Sequence, residues 1–160
     1  MIFLYYKIYI NKLMKEINGD LIKLAIEGHF DVIIHGCNCF HSMGAGIAKY
    51  IKMNFPESHI ADKKTTYGNF RKLGTYSSAN VLNNKLTVVN GYTQYYYGKK
   101  KINVDYYAIE NLFKLIKKDF SGKRIGIPKI GAGLGGGNWK IISSIIEKEM
   151  KGEDISLVIY

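Results

Sequence analysis

The chain alternates short apolar runs with segments whose apolar residues recur every three or four positions, and glycine, proline or asparagine separates them. Lys15 to Asn18 reads as a short strand. Gly19-Asp20 turns into a helix over Leu21 to Glu27, with Asp20 as its cap and Gly28 at its end. Asp31 to Cys37 is a buried strand, because its VII run is too apolar for a strand with one wet face. A helix follows from Gly44 to Asn54, and Pro56 stops it and opens a second helical piece through Lys64. After a loop over Thr65 to Lys72, Leu73 to Val81 and Leu86 to Gly91 have strand composition, and Asn83-Asn84 joins them as a tight hairpin.

Tyr92 to Asn103 is polar, aromatic and interrupted by glycine, which predicts a surface loop that carries contacts rather than core. Tyr106, Ile109, Leu112, Phe113 and Ile116 then define one apolar face of a helix over Asp105 to Lys118, closed by Gly122. Ile125 to Ile130 is strand. Trp139 to Met150 is helix with Ile141, Ile142, Ile145 and Ile146 inward, and Ile155 to Tyr160 is a last buried strand. This order predicts an α/β protein, with a mixed, largely parallel sheet, helices on both faces and ligands at the carboxyl ends of the strands.

A length of 160 residues fits one domain with its own core. The 47 % hydrophobic content comes without a continuous apolar run near the length of a bilayer span, so no membrane partner is expected. The apolar start, MIFLYYKIYI, is short, is broken by Lys7 and lacks a small-residue cleavage site. Residues 1–13 are therefore expected to be a leader or an extra strand, and residues 14–160 the domain. Cys37 and Cys39, the only cysteines, stand too close for an ordinary structural disulfide, and a cytoplasmic protein is expected. The net charge of +10 invites a nucleic-acid partner, and Lys99 to Lys101 follow the tyrosines of YYYGKKK, which could stack bases. Only Arg71 and Arg124 are arginines, however, and an AT-rich coding bias gives the same lysine excess. Nucleic acid stays an open partner rather than the favoured one, and the charge can instead steer an anionic ligand.

Two stretches carry the chemistry. In DVIIHGCNCFHSMGAGIA, from Asp31 to Ala48, a strand runs through a loop into a helix start. Gly44 and Gly46 uncover backbone N–H groups where a helix N-terminus concentrates positive partial charge, so a phosphate is the natural guest. RIGIPKIGAGLGGGNW, from Arg124 to Trp139, repeats the plan, and two such loops can grip a diphosphate from both sides. Gly131 to Gly136 formally matches the dinucleotide fingerprint G-x-G-x-x-G, but too little chain follows for the βαβ unit that it needs. No P-loop motif occurs. His35, Cys37, Cys39 and His41 alternate, yet an extended run over these positions spans roughly 20 Å, so they cannot converge on one ion and no metal is expected.

HGCNC, MGAGIA, a YG-x(4)-LG segment, TQYYYG and P-x-IGAGLGGGNW, in this order, resemble macrodomains, and the resemblance covers Met14 to Tyr160. It implies a three-layer α/β/α macrodomain that binds ADP-ribose; no cofactor is expected, and a monomer is the expectation although the sequence itself is silent on oligomeric state. Asp20 would hydrogen-bond the adenine amino group and Leu21 would supply a backbone partner. Asn38 would meet the distal ribose. Gly44, Ala45, Gly46 and Ile47 would form the first diphosphate loop, and Gly131, Ala132, Gly133, Leu134 and Gly135 the second.

His35 at the end of the HGCNC strand resembles the branch that removes the 1''-phosphate of ADP-ribose 1''-phosphate. There the phosphoryl group would sit past Asn38, with His35 as proton donor. The branch that strips ADP-ribose from protein or nucleic acid uses a lysine and an acid at slots that look like Tyr67 and Gly135 here. A domain that binds ADP-ribose without turnover is the third reading, because Asn69 and Asn138 stand where aspartate is expected in relatives.

Overall fold

The structure, a computed structural model, describes residues 14–98 and 102–160. Six strands, β1 (Lys15–Asn18), β2 (Val32–Cys37), β3 (Tyr76–Val81), β4 (Leu86–Tyr92), β5 (Ile125–Ile127) and β6 (Ile155–Ile159), form one sheet in the order β1-β6-β5-β2-β4-β3. Only the β3–β4 pair is antiparallel. Helices α1 (Leu21–Ile26), α2 (Gly46–Asn54), α3 (Pro56–Lys63), α4 (Tyr106–Phe120) and α5 (Trp139–Glu149) cover both faces. The expected α/β architecture is present.

Alternation along β2 explains its apolar run. Val32 and Ile34 join Leu112, Phe113, Ile116, Ile142 and Ile146 in the core under α4 and α5, whereas Ile33 joins Leu21, Ile22, Ile51 and Phe55 under the other helices. Each fully buried side chain of this kind contributes about 1.5–3 kcal/mol over its exposed state.

Several boundaries differ from the sequence reading. Strand β5 stops at Ile127, because Pro128 carries no N–H for the ladder. The strand before the hairpin begins at Tyr76 rather than Leu73, and the hairpin turn spans Leu82 to Lys85, with Leu82, Asn83 and Asn84 all left-handed. Ile141 is 46 % exposed, so Ile142 and Ile146, with half-buried Ile145 packed against the same cluster, form the inward face of α5. Tyr92 and Thr93 are buried, so the tyrosine-rich segment starts in the core, although Tyr96 and Tyr97 lie at the surface. Residues 1–13, expected as a leader or extra strand, and the basic run Lys99 to Lys101 lie outside the described residues. Among the described residues, no helix is long and apolar enough to cross a membrane.

Candidate functional site

Strands β2 and β5 are parallel neighbours, with Val32 opposite Ile125 and Ile33 opposite Gly126. The loops that follow them therefore leave one edge of the sheet side by side. Beyond β2 the chain builds β3 and β4 on one side of it, and it returns on the other side to β5, so the two loops flank a point where the strand order reverses. They also touch: a Cβ on Gly46 would meet Leu134 Cδ1 at 3.2 Å.

The second loop folds tightly on itself. Gly137 N–H donates to the Gly131 carbonyl at 2.8 Å, and Asn103 and Val104 N–H both donate to the Gly135 carbonyl. A Cβ on Gly135 would stand 2.8 Å from the Gly131 oxygen and one on Gly137 2.7 Å from it, so both glycines serve the loop's closure. Gly44 and Gly133, in contrast, are exposed and face open space.

The first loop is built around Asn38. Its Oδ1 accepts from Phe40 N–H at 2.9 Å, and its Nδ2 donates to the Ser42 carbonyl at 2.9 Å, so the amide shapes the turn it stands in. Lys72, itself buried, donates to the Cys39 carbonyl at 3.2 Å, and Gly68 N–H reaches the same oxygen at 2.8 Å. His41 is left-handed at φ 58° and half-buried, and its carbonyl accepts from His59 Nε2 at 3.2 Å. The sequence pattern marks His41 only within the alternating His/Cys run and gives Lys72 no role. Nothing local in the sequence marks a left-handed histidine or the carbonyl that a distant lysine will reach.

A cavity of about 830 Å³ opens at the same sheet edge, with Leu21, Ile47, Tyr50 and Val158 in its apolar wall and Asp20, Lys23, Glu27 and Lys129 as charged side chains. Asp20 Oδ1 caps α1, accepting from Ile22 N–H at 2.9 Å and Lys23 N–H at 3.2 Å. Of the expected ligand set, Asp20, Leu21 and Ile47 line this cavity. Asn38, Gly44, Ala45 and Gly46 do not, nor do Gly131, Ala132, Gly133, Leu134 and Gly135.

His35 occupies a different place from the one the sequence suggested. Its side chain shares the face of Ile33 and has no exposed surface, and its Nε2 stands 2.7 Å from Asn90 Oδ1. Asn90 Nδ2 donates to the Ser58 carbonyl at 2.8 Å, which fixes the amide and makes His35 Nε2 the donor. Burial holds the imidazole pKa down at about 4, against its hydrogen bond to Asn90. The residue expected as proton donor is thus an enclosed ring whose Nε2 is committed to Asn90. Nearby, the Tyr92 hydroxyl donates to Asp62 Oδ1 at 2.7 Å, and Lys72 Nζ lies 4.5 Å from the Tyr92 ring centre. Burial pushes the thiols of Cys37 and Cys39 up, so neither is a ready nucleophile. Among the described residues, no three His, Cys, Asp or Glu side chains gather to hold a metal.

The two asparagines at expected aspartate positions are both caps. Asn69 Oδ1 accepts from Arg71 N–H at 2.9 Å at the head of a 3-10 turn over Phe70–Lys72. Asn138 Oδ1 accepts from Lys140 N–H at 2.9 Å at the head of α5. Asparagine caps as well as aspartate does, so the local structure survives the loss of the charge.

No family model matches the chain. The macrodomain of Mycobacterium tuberculosis DarG superposes with a TM-score of 0.71 at 18 % identity, covering 92 % of this chain and 97 % of that one. Thermosipho africanus DarTG in complex with ADP-ribose gives a TM-score of 0.71 at 16 % identity, over 91 % of this chain and 42 % of that one. A Bacteroides thetaiotaomicron protein of unknown function gives 0.74 at 26 % identity, over 92 % and 96 %. The fold is that of a macrodomain. More narrowly, the chain belongs to the family of an uncharacterised 17.5 kDa protein of Enterobacteria phage T4, encoded in the tk-vs intergenic region. The two are 37 % identical over 153 residues, 91 % of this chain and 96 % of the phage protein.

Proposed function

We propose that the protein binds ADP-ribose, with the adenosine in the cavity beside Asp20 and the diphosphate between the loops at Gly44–Gly46 and Gly131–Gly135. The observation that carries this reading is the meeting of those loops, Leu134 on Gly46, at neighbouring parallel strand ends next to a cavity of about 830 Å³. The bound ADP-ribose of the Thermosipho africanus structure supports the choice of ligand. Apolar contact from Leu21, Ile47 and Tyr50 suits an adenine ring, while backbone N–H groups suit phosphate oxygens.

The activity we assign to this site is hydrolysis of ADP-ribose 1''-phosphate. Water attacks phosphorus, the bond to the ribose oxygen breaks, and that oxygen takes up a proton. Loop amides would stabilise the equatorial oxygens. Because His35 is enclosed, the proton falls to His41, the one histidine within the two loops. A second reading, binding without turnover, is favoured by the cap roles of Asn69 and Asn138 at expected aspartate positions and by two loops, 38–45 and 128–138, that contain no aspartate or glutamate. Calorimetry with ADP-ribose and phosphate release from ADP-ribose 1''-phosphate test these claims together. Binding with phosphate release supports the enzyme, binding alone supports the second reading, and no binding at millimolar ligand overturns both.

A further inference from the structure

Three segments outside the cavity build a cluster of aromatic rings. Phe40 from the first loop makes edge contacts with Tyr67 at 5.3 Å, Tyr95 at 5.0 Å and Tyr96 at 5.1 Å between ring centres. Tyr96 and Tyr97 stack on each other at 4.9 Å and 14°, and Phe70 leans on Tyr95 at 5.5 Å. The outer rings stay open to solvent: Tyr67 is 65 % exposed, Phe70 66 %, Tyr96 51 % and Tyr97 46 %. Aromatic surface of this extent on the outside of a domain calls for a partner, since nothing in the core requires it.

Charge decides which partner. The described residues of the contributing stretches, 38–42, 63–75, 92–98 and 102–104, contain Lys63, Lys64, Arg71 and Lys72 but no aspartate or glutamate. Lys63, Lys64 and Arg71 are exposed, and Arg71 follows Phe70 directly. Flat rings interleaved with cations and free of carboxylates match a single-stranded nucleic acid, whose bases offer faces to stack and whose backbone offers negative charge. A duplex hides those faces.

We propose that this aromatic platform binds single-stranded nucleic acid, with bases against Tyr96, Tyr97, Tyr67 and Phe70 and the phosphates near Lys63, Lys64 and Arg71. None of these residues lines the cavity beside Asp20, but Tyr67 edges onto His41 of the first loop at 5.4 Å between ring centres, so the platform borders the proposed ADP-ribose site and the ADP-ribose affinity of the variant below keeps the two claims apart.

The test is fluorescence anisotropy of the full chain with dye-labelled single-stranded DNA and RNA of about 20 nucleotides and with the matching duplex, across a salt series. The single strand binds more tightly than the duplex. The double variant Tyr96→Ala/Tyr97→Ala lowers that affinity by about tenfold or more at fixed salt, in line with the usual value of base stacking. Its melting temperature and ADP-ribose affinity stay at wild-type values. Tyr107→Ala, which removes a tyrosine 80 % exposed on α4, changes nothing. Equal affinity for duplex and single strand, or an unchanged affinity in the double variant, overturns the platform as simple charge attraction. Absence of binding at about 100 mM salt overturns it outright.

Discussion

Leu134 closes on Gly46, with its Cδ1 3.2 Å from the point where a glycine Cβ would stand. These residues are far apart in sequence, and they meet because β2 and β5 lie side by side and end at the same edge. A loop contact set by strand pairing is a fixed one, which suits a cradle for a diphosphate better than two independently mobile turns do.

Valine at the first loop's two glycines separates cradle from fold. Gly44 has open space and an ordinary φ, so Gly44→Val keeps the wild-type melting temperature and weakens ADP-ribose binding by about tenfold or more, near 1.4 kcal/mol. Gly46 is left-handed at φ 57°, so Gly46→Val adds strain of about 1–3 kcal/mol to any loss of binding. Calorimetry and thermal melts on the two variants check this. Wild-type affinity in Gly44→Val refutes the cradle.

His35 makes stability depend on pH in a defined window. Its pKa falls from an ordinary 6.5 to about 4 on folding, so between those values the unfolded chain binds the extra proton. The stabilisation that comes from keeping the ring neutral is therefore complete above pH 6.5. It is lost as pH falls toward 4, with a ceiling of about 3 kcal/mol. Denaturant midpoints measured between pH 7 and pH 4 fall in the wild type. In His35→Gln the slope over this window is flatter, whatever that variant's stability at pH 7. Equal slopes in the two proteins contradict the assignment.

Asp20 carries two roles that one substitution can part. Asparagine caps a helix as well as aspartate does, so Asp20→Asn leaves α1 and the melting temperature in place. If the carboxylate accepts from the adenine amino group, losing its charge weakens ADP-ribose binding by about tenfold, as expected for a charge-assisted hydrogen bond. Unchanged affinity would leave Asp20 as a cap only. Asp20→Ala loses both functions, with about 1 kcal/mol from the cap.

Most of the fold was legible because it rests on local signals. The VII run of β2, the three- and four-residue spacing in α4 and the glycines after β2 and β5 each report a neighbour's face through periodicity alone. The parts that sequence left unseen depend on distant partners. The HGCNC run could not reveal that His35 would meet Asn90 across the sheet, with Ser58 fixing the amide. Asn38 reads as a free amide until the turn back to Phe40 and Ser42 uses it. The same holds for His41, whose left-handed φ is set by contacts from α3 and from the segment after it.

His41 gives the sharpest test of catalysis. Thr65 Oγ1 donates to the Asp62 carbonyl at 2.6 Å, so its oxygen is left to accept from His41 Nε2 at 3.1 Å. That assigns the neutral ring's proton to Nε2 and leaves the lone pair on Nδ1, the nitrogen that the proposed proton transfer would use. Alanine is a poor probe here because φ is 58°, whereas asparagine tolerates that region and cannot relay a proton. His41→Asn therefore keeps its melting temperature and its ADP-ribose affinity but loses turnover of ADP-ribose 1''-phosphate by about a hundredfold, the lower range for a general acid. His35→Gln, by contrast, changes stability and leaves the rate per folded molecule within about threefold, since a group without acid–base contact to substrate supplies no such factor. Single-turnover phosphate release on both variants, normalised to folded protein, decides between the two histidines. A full rate in His41→Asn with a lost rate in His35→Gln would return the proton to the buried ring and require an opening of the polar network around Asn90.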